Sequence, residues 1–296
     1  MTGGTLRGRI ICSSGGFYDV AVGRQVYRCR ARGLFRKEEV RPVVGDLAEI
    51  QPLPDHQGYV TALAERKNYL IRPPLANLDR LVLVVSLRDP APNLLVLDRL
   101  IAIAEHQSIE PVIALTKWDL GGGEPLAEVY RRAGFAVYPA SSVTGEGAGA
   151  LGELLRQGVS AFCGNSGAGK SSLLNLLEPS LALKTGETSK KLGRGRHTTR
   201  HVELYPFGEG FLADTPGFSA VEMERFARLK KEELAGCFRE FEPFLGQCRF
   251  LDCAHLDEPG CRVRQAVQEG QIAQSRYDHY RLMYEEAKQY KEWEQK

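Results

Sequence analysis

The sequence predicts a multidomain protein of 296 residues with three unlike parts. Five short strand patterns within about 65 residues predict an N-terminal β-barrel, which we assign to the OB-fold class. Strands then alternate with helices, which predicts a central α/β domain with a doubly wound sheet. The last part combines crowded cysteines with charged helical patterns, which predicts a mostly helical C-terminal domain. We place the domains at residues 1–70, 71–227 and 228–296.

The N-terminal strands are apolar runs separated by glycine and proline, at residues 8–12, 17–22, 26–30, 46–50 and 58–63. Residues 1–70 hold eleven Lys/Arg against seven Asp/Glu. Aromatic and basic side chains of this part suit an RNA strand, namely Phe17, Tyr18, Tyr27, Arg28, Arg30 and Arg32. About half of such a set belongs in a barrel core, so the pattern does not tell which of them face outward.

The central part begins after Arg72-Pro73-Pro74, which reads as a linker. Residues 81–85 and 111–115 are apolar throughout, as in parallel strands covered on both faces. A helical pattern over residues 94–106 separates them, and the alternation continues through Tyr138 to further strands at 158–163, 202–205 and 210–213. Such alternation is typical of a doubly wound α/β domain.

Residues 164–171 read GNSGAGKS and match the phosphate-loop pattern GxxxxGK[ST] between a predicted strand and a predicted helix. Amides of such a loop point at phosphate oxygens. Lys170 would reach the β and γ phosphates, and Ser171 would ligate Mg²⁺. The alternative is a glycine-rich turn that matches by chance. The candidate nucleotide-binding residues here are Gly164, Asn165, Ser166, Gly167, Ala168, Gly169, Lys170, Ser171 and Ser172. Since Gly167 occupies a position where some GTPases carry a potassium-binding Asn, potassium activation is not expected.

A guanine-binding pattern precedes the phosphate loop. Thr116-Lys117-Trp118-Asp119 follows a strand end, where α/β sheets bind ligands. The Asp119 carboxylate can accept two hydrogen bonds from guanine, and the Lys117 stem can lie over the base. Thr116 stands where Asn is commoner, so we expect a weaker brace to the neighbouring loop. Ser141 and Ser142 also follow a strand, and a backbone amide there could bind the guanine O6.

The remaining nucleotide motifs lie downstream, in His197-Thr198-Thr199 and Asp214-Thr215-Pro216-Gly217. Thr198 could contact Mg²⁺ and the γ phosphate, Asp214 could hold Mg²⁺ through water, and the Gly217 amide could bind the γ phosphate. The guanine motifs therefore precede the phosphate motifs, the reverse of the usual order. This order predicts a circular permutation, which a sheet with adjacent termini tolerates.

The chain at this point resembles the ribosome small-subunit-dependent GTPases, the RsgA family, also called YjeQ or YloQ. The resemblance rests on the barrel, the permuted order, residues 195–199 (GRHTT) and the cysteine cluster. It implies an OB-fold, a permuted GTPase core and a C-terminal zinc domain. It also implies GTP hydrolysis to GDP and phosphate, stimulated by the small ribosomal subunit during its late maturation. The expected partners are GTP or GDP and the small subunit with its rRNA, and the chain is expected to be a monomer.

Four potential metal ligands lie within fourteen residues: Cys248, Cys253, His255 and Cys261. Zn²⁺ takes four such ligands tetrahedrally, and a site without an open position is structural, with one ion per chain. The spacing is not that of a zinc finger, but the family resemblance carries the same cluster. Cys237 is expected to be buried in a helix over residues 234–241, and Cys12, Cys29 and Cys163 to be small core residues.

The localisation and membrane predictions follow from what the sequence lacks. No apolar run approaches the roughly 20 residues of a membrane helix. The first residues have no apolar signal core. We therefore expect a cytoplasmic protein without membrane contact.

The hydrolytic step lacks one common residue. Many GTPases place Gln after the glycine that corresponds to Gly217, but this chain has Phe218, which cannot orient water. Unstimulated turnover should be slow, and His197 is the best internal candidate for positioning the water. The alternative is a loop histidine that contacts RNA or the barrel. The basic segment 184–200 around it could meet nucleic acid or be a solvated loop.

Three functions remain open on the sequence. The first is a GTPase activated by the small ribosomal subunit. The second is a GTP-gated RNA-binding scaffold in which hydrolysis is incidental. The third is a metabolic phosphate-loop kinase, which the guanine pattern and the flanking domains disfavour.

Overall fold

The structure is a computed structural model that describes residues 4–31, 41–181, 202–214 and 229–289. The predictions for His197, Thr198 and Gly217 lie outside the described residues. The same is true of the side chain of Asp214, whose backbone ends a strand.

The N-terminal barrel has five strands: β1 Leu6–Ser14, β2 Phe17–Val22, β3 Gln25–Ala31, β4 Leu47–Leu53 and β5 Gln57–Leu63. They follow the order β1-β2-β3-β5-β4, and β4 returns to β1, which closes the barrel. All neighbours are antiparallel except β3 and β5, which are parallel. Alternate residues fill the interior, and Ile10, Val20, Cys29, Ile50 and Val60 are fully buried there. The predicted N-terminal barrel is confirmed.

The residues predicted as a linker instead form a packed hairpin. Strand β6 (Tyr69–Leu70) pairs antiparallel with β7 (Leu75–Ala76), so the two prolines lie in the turn. Asn68 fixes the base of the hairpin, since its side chain donates to the Leu78 carbonyl at 2.8 Å and accepts from the Leu78 amide at 2.9 Å. Leu75 and Leu78 are fully buried. The linker prediction was wrong because the composition of a proline-rich turn does not show whether its flanks are buried.

The central sheet has six strands: β8 Arg80–Ser86, β9 Glu110–Thr116, β10 Ala136–Pro139, β11 Val159–Cys163, β12 Glu203–Phe207 and β13 Gly210–Asp214. Their order is β10-β9-β8-β11-β13-β12, with β12 antiparallel at the edge and the others parallel. The helices are α1 Leu94–His106, α2 Glu124–Arg132, α3 Ala148–Leu155 and α4 Lys170–Leu177. The predicted central α/β domain is confirmed.

The barrel and the central sheet form one continuous sheet of eleven strands. Their joint is an antiparallel pairing of β1 with β12, at Cys12 and Glu203. The Arg9 guanidinium also lies 6.0 Å from the Phe211 ring centroid. We had expected Cys12 to be a core residue, but it is half-buried at this joint. Cys29 and Cys163 are fully buried, as predicted.

The C-terminal part contains α5 Lys231–Leu234, α6 Arg262–Gln268 and α7 Gln274–Lys288. The helix predicted over residues 234–241 is wrong. Two 3₁₀ segments, Ala235–Cys237 and Arg239–Phe244, take its place, and the second contains Pro243. Proline lacks an amide donor and disfavours α conformation in the preceding residue, which is consistent with this interruption. Cys237 is buried nonetheless, as predicted.

Helix α1 packs against the C-terminal part through one continuous apolar core. Leu97 and Ile101 of α1 belong to the same buried cluster as Phe238, Phe241 and Tyr280. Among the described residues, none of the helices has the length and apolar character required to cross a bilayer.

A buried ion network also connects α1 to α7. Arg276 donates to Asp98 at 2.6 Å and to Glu240 at 2.7 Å, and the side chains of Arg276 and Asp98 are each 1% exposed. Tyr130 donates to the same Asp98 oxygen at 2.8 Å. Burial acts to lower the pKa of Arg276, but the charges of Asp98 and Glu240 outweigh it and the pKa is raised. Three elements distant in sequence therefore meet at one guanidinium.

Candidate functional site

The phosphate loop follows β11, a strand buried along its whole length between β8 and β13. The loop approaches its neighbours closely, since a Cβ on Gly164 would lie 2.3 Å from the Val84 carbonyl oxygen. Gly169 has φ +94° and leads into α4, which begins at Lys170. Both positions therefore require glycine. Ser166 and Gly167 are exposed at the tip of the loop.

Lys170 points back over the loop. Its Nζ donates to the carbonyls of Gly164 at 2.5 Å and Asn165 at 2.8 Å. Burial lowers the pKa of Lys170. A partly dehydrated ammonium surrounded by carbonyl dipoles gains from a nearby anion, so a phosphate group fits this position.

The first turn of α4 carries Ser171 and Ser172, both half-buried. The hydroxyl of a phosphate-loop serine next to the lysine is the usual Mg²⁺ ligand of this motif. The amides of the turn add positive potential for an anion.

The guanine-motif residues lie on the next loops of the same sheet edge. Thr116 ends β9, and its hydroxyl donates to the Ala168 carbonyl at 2.6 Å. This contact joins the predicted base loop directly to the phosphate loop. The expected brace between the two loops is therefore present, through the threonine hydroxyl.

Lys117 adopts the left-handed conformation, with φ +59°. Its ammonium donates to the carbonyls of Arg88, at 2.8 Å, and Asp89. The loop after β8 therefore lies beside the predicted base motif, although no motif in the sequence marks it. The rule that ligands bind at the carboxyl ends of parallel strands would have identified it.

The loop after β10 completes this edge. The hydroxyl of Ser141 is buried and accepts from the amides of Val143 at 3.2 Å and Thr144 at 3.1 Å. The amide of Trp118 donates to the Ala140 carbonyl at 3.2 Å, which holds the two base loops together. Asp119 and Ser142 are exposed, so both remain accessible to a ligand.

The four predicted metal ligands converge in the C-terminal part. Their ligand atoms all lie within 4.8 Å of one another. The Sγ atoms of Cys248 and Cys261 are 3.9 Å apart, and each lies 3.5 Å from His255 Nδ1. A tetrahedral Zn²⁺ would separate two sulfurs by about 3.8 Å, and sulfur from nitrogen by about 3.5 Å. The donor set and its spacing therefore fit a four-coordinate metal with no open position.

Hydrogen bonds around the cluster hold the ligands in place. Cys261 caps α6, where its Sγ accepts from the Arg264 amide at 3.5 Å. Tyr277 and Tyr280 of α7 donate to the carbonyls of His255 and Ala254, both at 2.8 Å. Burial raises the pKa of the Cys253 thiol to about 12 and lowers the pKa of His255. A thiol whose pKa is raised needs a nearby cation to become a thiolate. A bound metal would supply that cation.

The structure also shows which of the predicted RNA-binding residues of the barrel lie in its core and which lie on its outside. Tyr18 belongs to the core at 7% exposure, and Tyr27 is half-buried against it. Phe17, Arg28 and Arg30 lie on the outside of the barrel. Arg32 lies outside the described residues.

Comparison with known families decides the assignment. A family model described as the RsgA N-terminal domain matches residues 7–60, and one described as the RsgA GTPase matches residues 63–224. The chain belongs to the RsgA family. It is therefore a GTPase, and the resemblance found from the motifs is confirmed.

Relatives match over nearly the whole chain. The protein of Caldanaerobacter subterraneus subsp. tengcongensis named small ribosomal subunit biogenesis GTPase RsgA is 46% identical, with 96% of each chain covered. The protein of the same name from Geobacillus kaustophilus is also 46% identical, covering 92% of this chain and 94% of the relative.

Two solved RsgA-family structures share the fold. The crystal structure of YloQ, a circularly permuted GTPase, has a TM-score of 0.82 and 36% identity, covering 97% of this chain and 96% of that one. The crystal structure of YjeQ from Thermotoga maritima also has a TM-score of 0.82. It is 32% identical, and the match covers 97% of this chain and 100% of that chain. The fold is thus the circularly permuted GTPase fold that the motif order predicts.

Proposed function

We propose that this RsgA-family GTPase binds the small ribosomal subunit, is stimulated by it, and acts in late maturation of that subunit. The observation that carries the proposal is the hydrogen bond from Thr116 to Ala168, which joins a guanine loop to a phosphate loop at one sheet edge. The relatives named above, which match along the whole chain, supply the link to the ribosome.

The proposed GTP site comprises the three loops after β9, β10 and β11, with Asp214 and Gly217 from the segment after β13. Asp119 accepts from guanine, Lys117 lies along the base, and an amide beside Ser141 binds O6. The residues are Thr116, Lys117, Asp119, Ser141, Ser142, Gly164, Asn165, Ser166, Gly167, Ala168, Gly169, Lys170, Ser171, Ser172, Asp214 and Gly217.

Hydrolysis requires a water in line with the γ phosphate and a counter-charge for the oxygens that become more negative. Lys170 supplies part of this charge from inside the loop. Mg²⁺, held by Ser171 and Thr198, would supply the rest. The water's oxygen bonds to the γ phosphorus as the bond to the bridging oxygen breaks, which leaves GDP and phosphate.

We propose that His197 positions the water, since Phe218 cannot. His197→Ala should then bind GTP normally and lose subunit-stimulated turnover by a factor on the order of 10². Thr198→Ala should instead weaken the GTP-bound state, because it removes a Mg²⁺ ligand. Normal stimulated turnover in His197→Ala would assign the catalytic group to the ribosome.

The metal in the cluster of Cys248, Cys253, His255 and Cys261 is proposed to be one structural Zn²⁺ per chain. The spacing of these atoms, which all lie within 4.8 Å of one another, and the burial of His255 and Cys261 support this choice. A saturated thiolate–imidazole set leaves no position for substrate, so the ion would stabilise the fold without taking part in hydrolysis.

We propose three functional units: an RNA- and ribosome-binding barrel at 1–70, a GTPase domain at 71–227 and a zinc domain at 228–296. The hairpin β6–β7 spans the first boundary, which supports moving it to the end of β5. The chain would act as a monomer in the cytoplasm, where small subunits mature.

Turnover measured with GTP and ATP, with and without small ribosomal subunits, tests the proposal. We expect slow GTP hydrolysis alone, strong stimulation by subunits and no comparable ATP hydrolysis. Equal use of ATP would contradict the guanine site. GTP hydrolysis that subunits leave unchanged would favour a scaffold role over an activated GTPase.

A further inference from the structure

The loop between β8 and α1 begins at a buried serine whose hydroxyl bonds to one residue of that loop. Ser86, the last residue of β8, is 2% exposed. Its hydroxyl donates to the Arg88 carbonyl and accepts from the Arg88 amide at 3.3 Å. Because one side chain holds both polar groups of the Arg88 backbone, it fixes the direction in which the Arg88 carbonyl points.

The Arg88 carbonyl also receives the lysine of the predicted guanine motif. Lys117 Nζ donates to it at 2.8 Å and donates to the Asp89 carbonyl as well. A carbonyl oxygen has two lone pairs, so it can accept from the Ser86 hydroxyl and the Lys117 ammonium at the same time. One backbone oxygen therefore connects a buried side chain of β8 to the side chain that we place along the base.

The pairing of β8 with β9 does not depend on the Ser86 hydroxyl. Ser86 lies opposite Thr116 in the parallel register of these strands. Directly beyond it, the Leu87 amide donates to the Thr116 carbonyl at 3.2 Å. Backbone hydrogen bonds thus hold the two strands together to their ends. Loss of the hydroxyl would act on the loop at 87–93 rather than on the sheet.

The same loop also lies next to the tip of the phosphate loop. A Cβ on Gly167 would lie 3.4 Å from Pro90 Cδ. The loop therefore has the lysine of the base motif on one side and the phosphate loop on the other. Its shape bears directly on the proposed nucleotide site.

We propose that Ser86 is a positioning residue for guanine binding, because it holds the loop carbonyl that orients the Lys117 side chain. A free lysine side chain samples many rotamers, and ordering it when a ligand binds reduces affinity. An ammonium that is already held by two carbonyls avoids that loss. The inference rests on the proposed function, since it concerns the GTP site proposed there.

The test measures GDP affinity of the full chain from the rise of its thermal midpoint with GDP concentration, which also covers millimolar dissociation constants. Ser86→Ala should bind GDP about fivefold more weakly, the effect of one lost hydrogen bond. Lys117→Met should lose at least about tenfold, because a charged donor is removed. In the Lys117→Met background, Ser86→Ala should have less than about a twofold further effect, since the side chain that it positions is gone.

Ser160→Ala is the matched control. Ser160 is fully buried in β11, and its hydroxyl has no hydrogen-bond partner within the described part of the chain. This variant should bind GDP like the parent.

GTP turnover gives a second readout. Ser86→Ala should raise the KM for GTP about fivefold and leave kcat unchanged, because the base takes no part in bond breaking. A purely structural defect would instead lower kcat through loss of folded protein, and that result would contradict the inference.

The remaining outcomes also decide the inference. Parent-like GDP affinity of Ser86→Ala would overturn it. A loss of the same size in the Lys117→Met background would overturn it too, since Ser86 would then act on the fold rather than through the lysine. Parent-like affinity of Lys117→Met would also remove Lys117 from the proposed GTP site. A parent that small subunits fail to stimulate would contradict the proposed function alone, because GDP binding does not depend on stimulation.

Discussion

The hydroxyl of Thr116 has one proton and two carbonyls within reach. Ala168 O lies at 2.6 Å and Val85 O at 3.3 Å, so the proton is shared mainly with Ala168. The first of these carbonyls belongs to the phosphate loop and the second to β8. This hydrogen bond therefore joins the loop after β9 directly to the phosphate loop.

Replacing Thr116 by valine should weaken GTP and GDP binding to a similar extent. Valine keeps the shape of the side chain but leaves the Ala168 carbonyl without its donor, a loss of about 1 kcal/mol or about fivefold in affinity. Calorimetric titration of both nucleotides provides the measurement. Thr116→Ser keeps the hydroxyl and should bind within twofold of the parent, while an undiminished affinity in the valine variant would show that the brace is not used.

The sequence is sufficient to propose the residues of the nucleotide site, but it does not show which contacts they make. The phosphate loop and Asp119 were recognisable because their chemistry depends on residue types at fixed spacing. The contact of Thr116 was not, because it depends on how closely the phosphate loop approaches β9. Likewise, the pattern of residues 17–30 could not separate outward Phe17 from inward Tyr18, since that depends on strand register.

Helix α1 is the element that touches both the nucleotide loops and the C-terminal part. Val96 and Leu97, in its first turn, border a small cavity that is also lined by Cys163 and Ala168 of the phosphate-loop region. Asp98, next along the helix, receives Arg276 from α7. Helix α1 therefore lines this cavity with its first turn and binds α7 through the next residue.

Arg276→Met should destabilise the protein strongly. The substitution leaves the buried Asp98 and Glu240 carboxylates without the guanidinium, although Tyr130 and His279 still contact Asp98. The loss of a buried charge partner costs about 3–5 kcal/mol of unfolding free energy. Urea denaturation of the metal-loaded protein measures the loss.

Arg99→Met provides the matched control, because Arg99 joins the same two helices through a partly exposed pair with Glu286. Its cost should stay within about 1 kcal/mol. Equal losses of unfolding free energy in the two variants would show that the buried network stabilises the protein no more than the exposed pair does.

The zinc cluster and the C-terminal helices should depend on one another. Purified protein should contain about one zinc per chain, and Cys261→Ser should lose it together with helix content, because Cys261 is both a ligand and the cap of α6. Metal analysis and circular dichroism give the two readouts. Cys12→Ser, outside the cluster, should keep its zinc. A zinc-free parent prepared without chelator would remove the four residues from the site.

Elements with strong periodicity were predicted well, and irregular ones were not. Helix α1 begins and ends where its apolar pattern does. The helix predicted over residues 234–241 was wrong, because two 3₁₀ segments take its place and the second contains Pro243. The four candidate metal ligands were recognised from their residue types, their close spacing and the family resemblance, and the structure brings them together.

At the scale of the whole molecule, removal of the barrel should weaken binding to small subunits. A cut after Leu63, the last residue of β5, removes the five-stranded barrel and spares the hairpin β6–β7. Binding of the full chain should also weaken as salt rises, because phosphate contacts release counterions. Co-sedimentation with subunits at several salt concentrations measures both effects. Undiminished binding by the truncated chain would show that the other two units carry the interaction.

The order of motifs along the chain predicted the permuted topology, but no local pattern predicted how the units join. Cys12 and Glu203, which connect β1 to β12, are far apart in sequence. Asp98 and Arg276 are 178 positions apart. Contacts between residues so far apart in sequence depend on the shapes of the folded units. Local residue patterns do not show those shapes.

The pairing of β1 with β12 also affects the solubility of the protein, because the barrel covers an edge of the central sheet. Among the described strands, β12 is the outer strand of the central sheet, with β13 on one side and β1 of the barrel on the other. An outer strand whose amides and carbonyls lose their cover can pair with the same strand of another molecule. Pro206 blocks part of that edge, since it has no amide to donate. At the other end of the strand, Glu203 pairs with Cys12 of the barrel. A chain that lacks the barrel exposes that part of the edge and should self-associate through β12, which light scattering would detect as an apparent mass that grows with protein concentration.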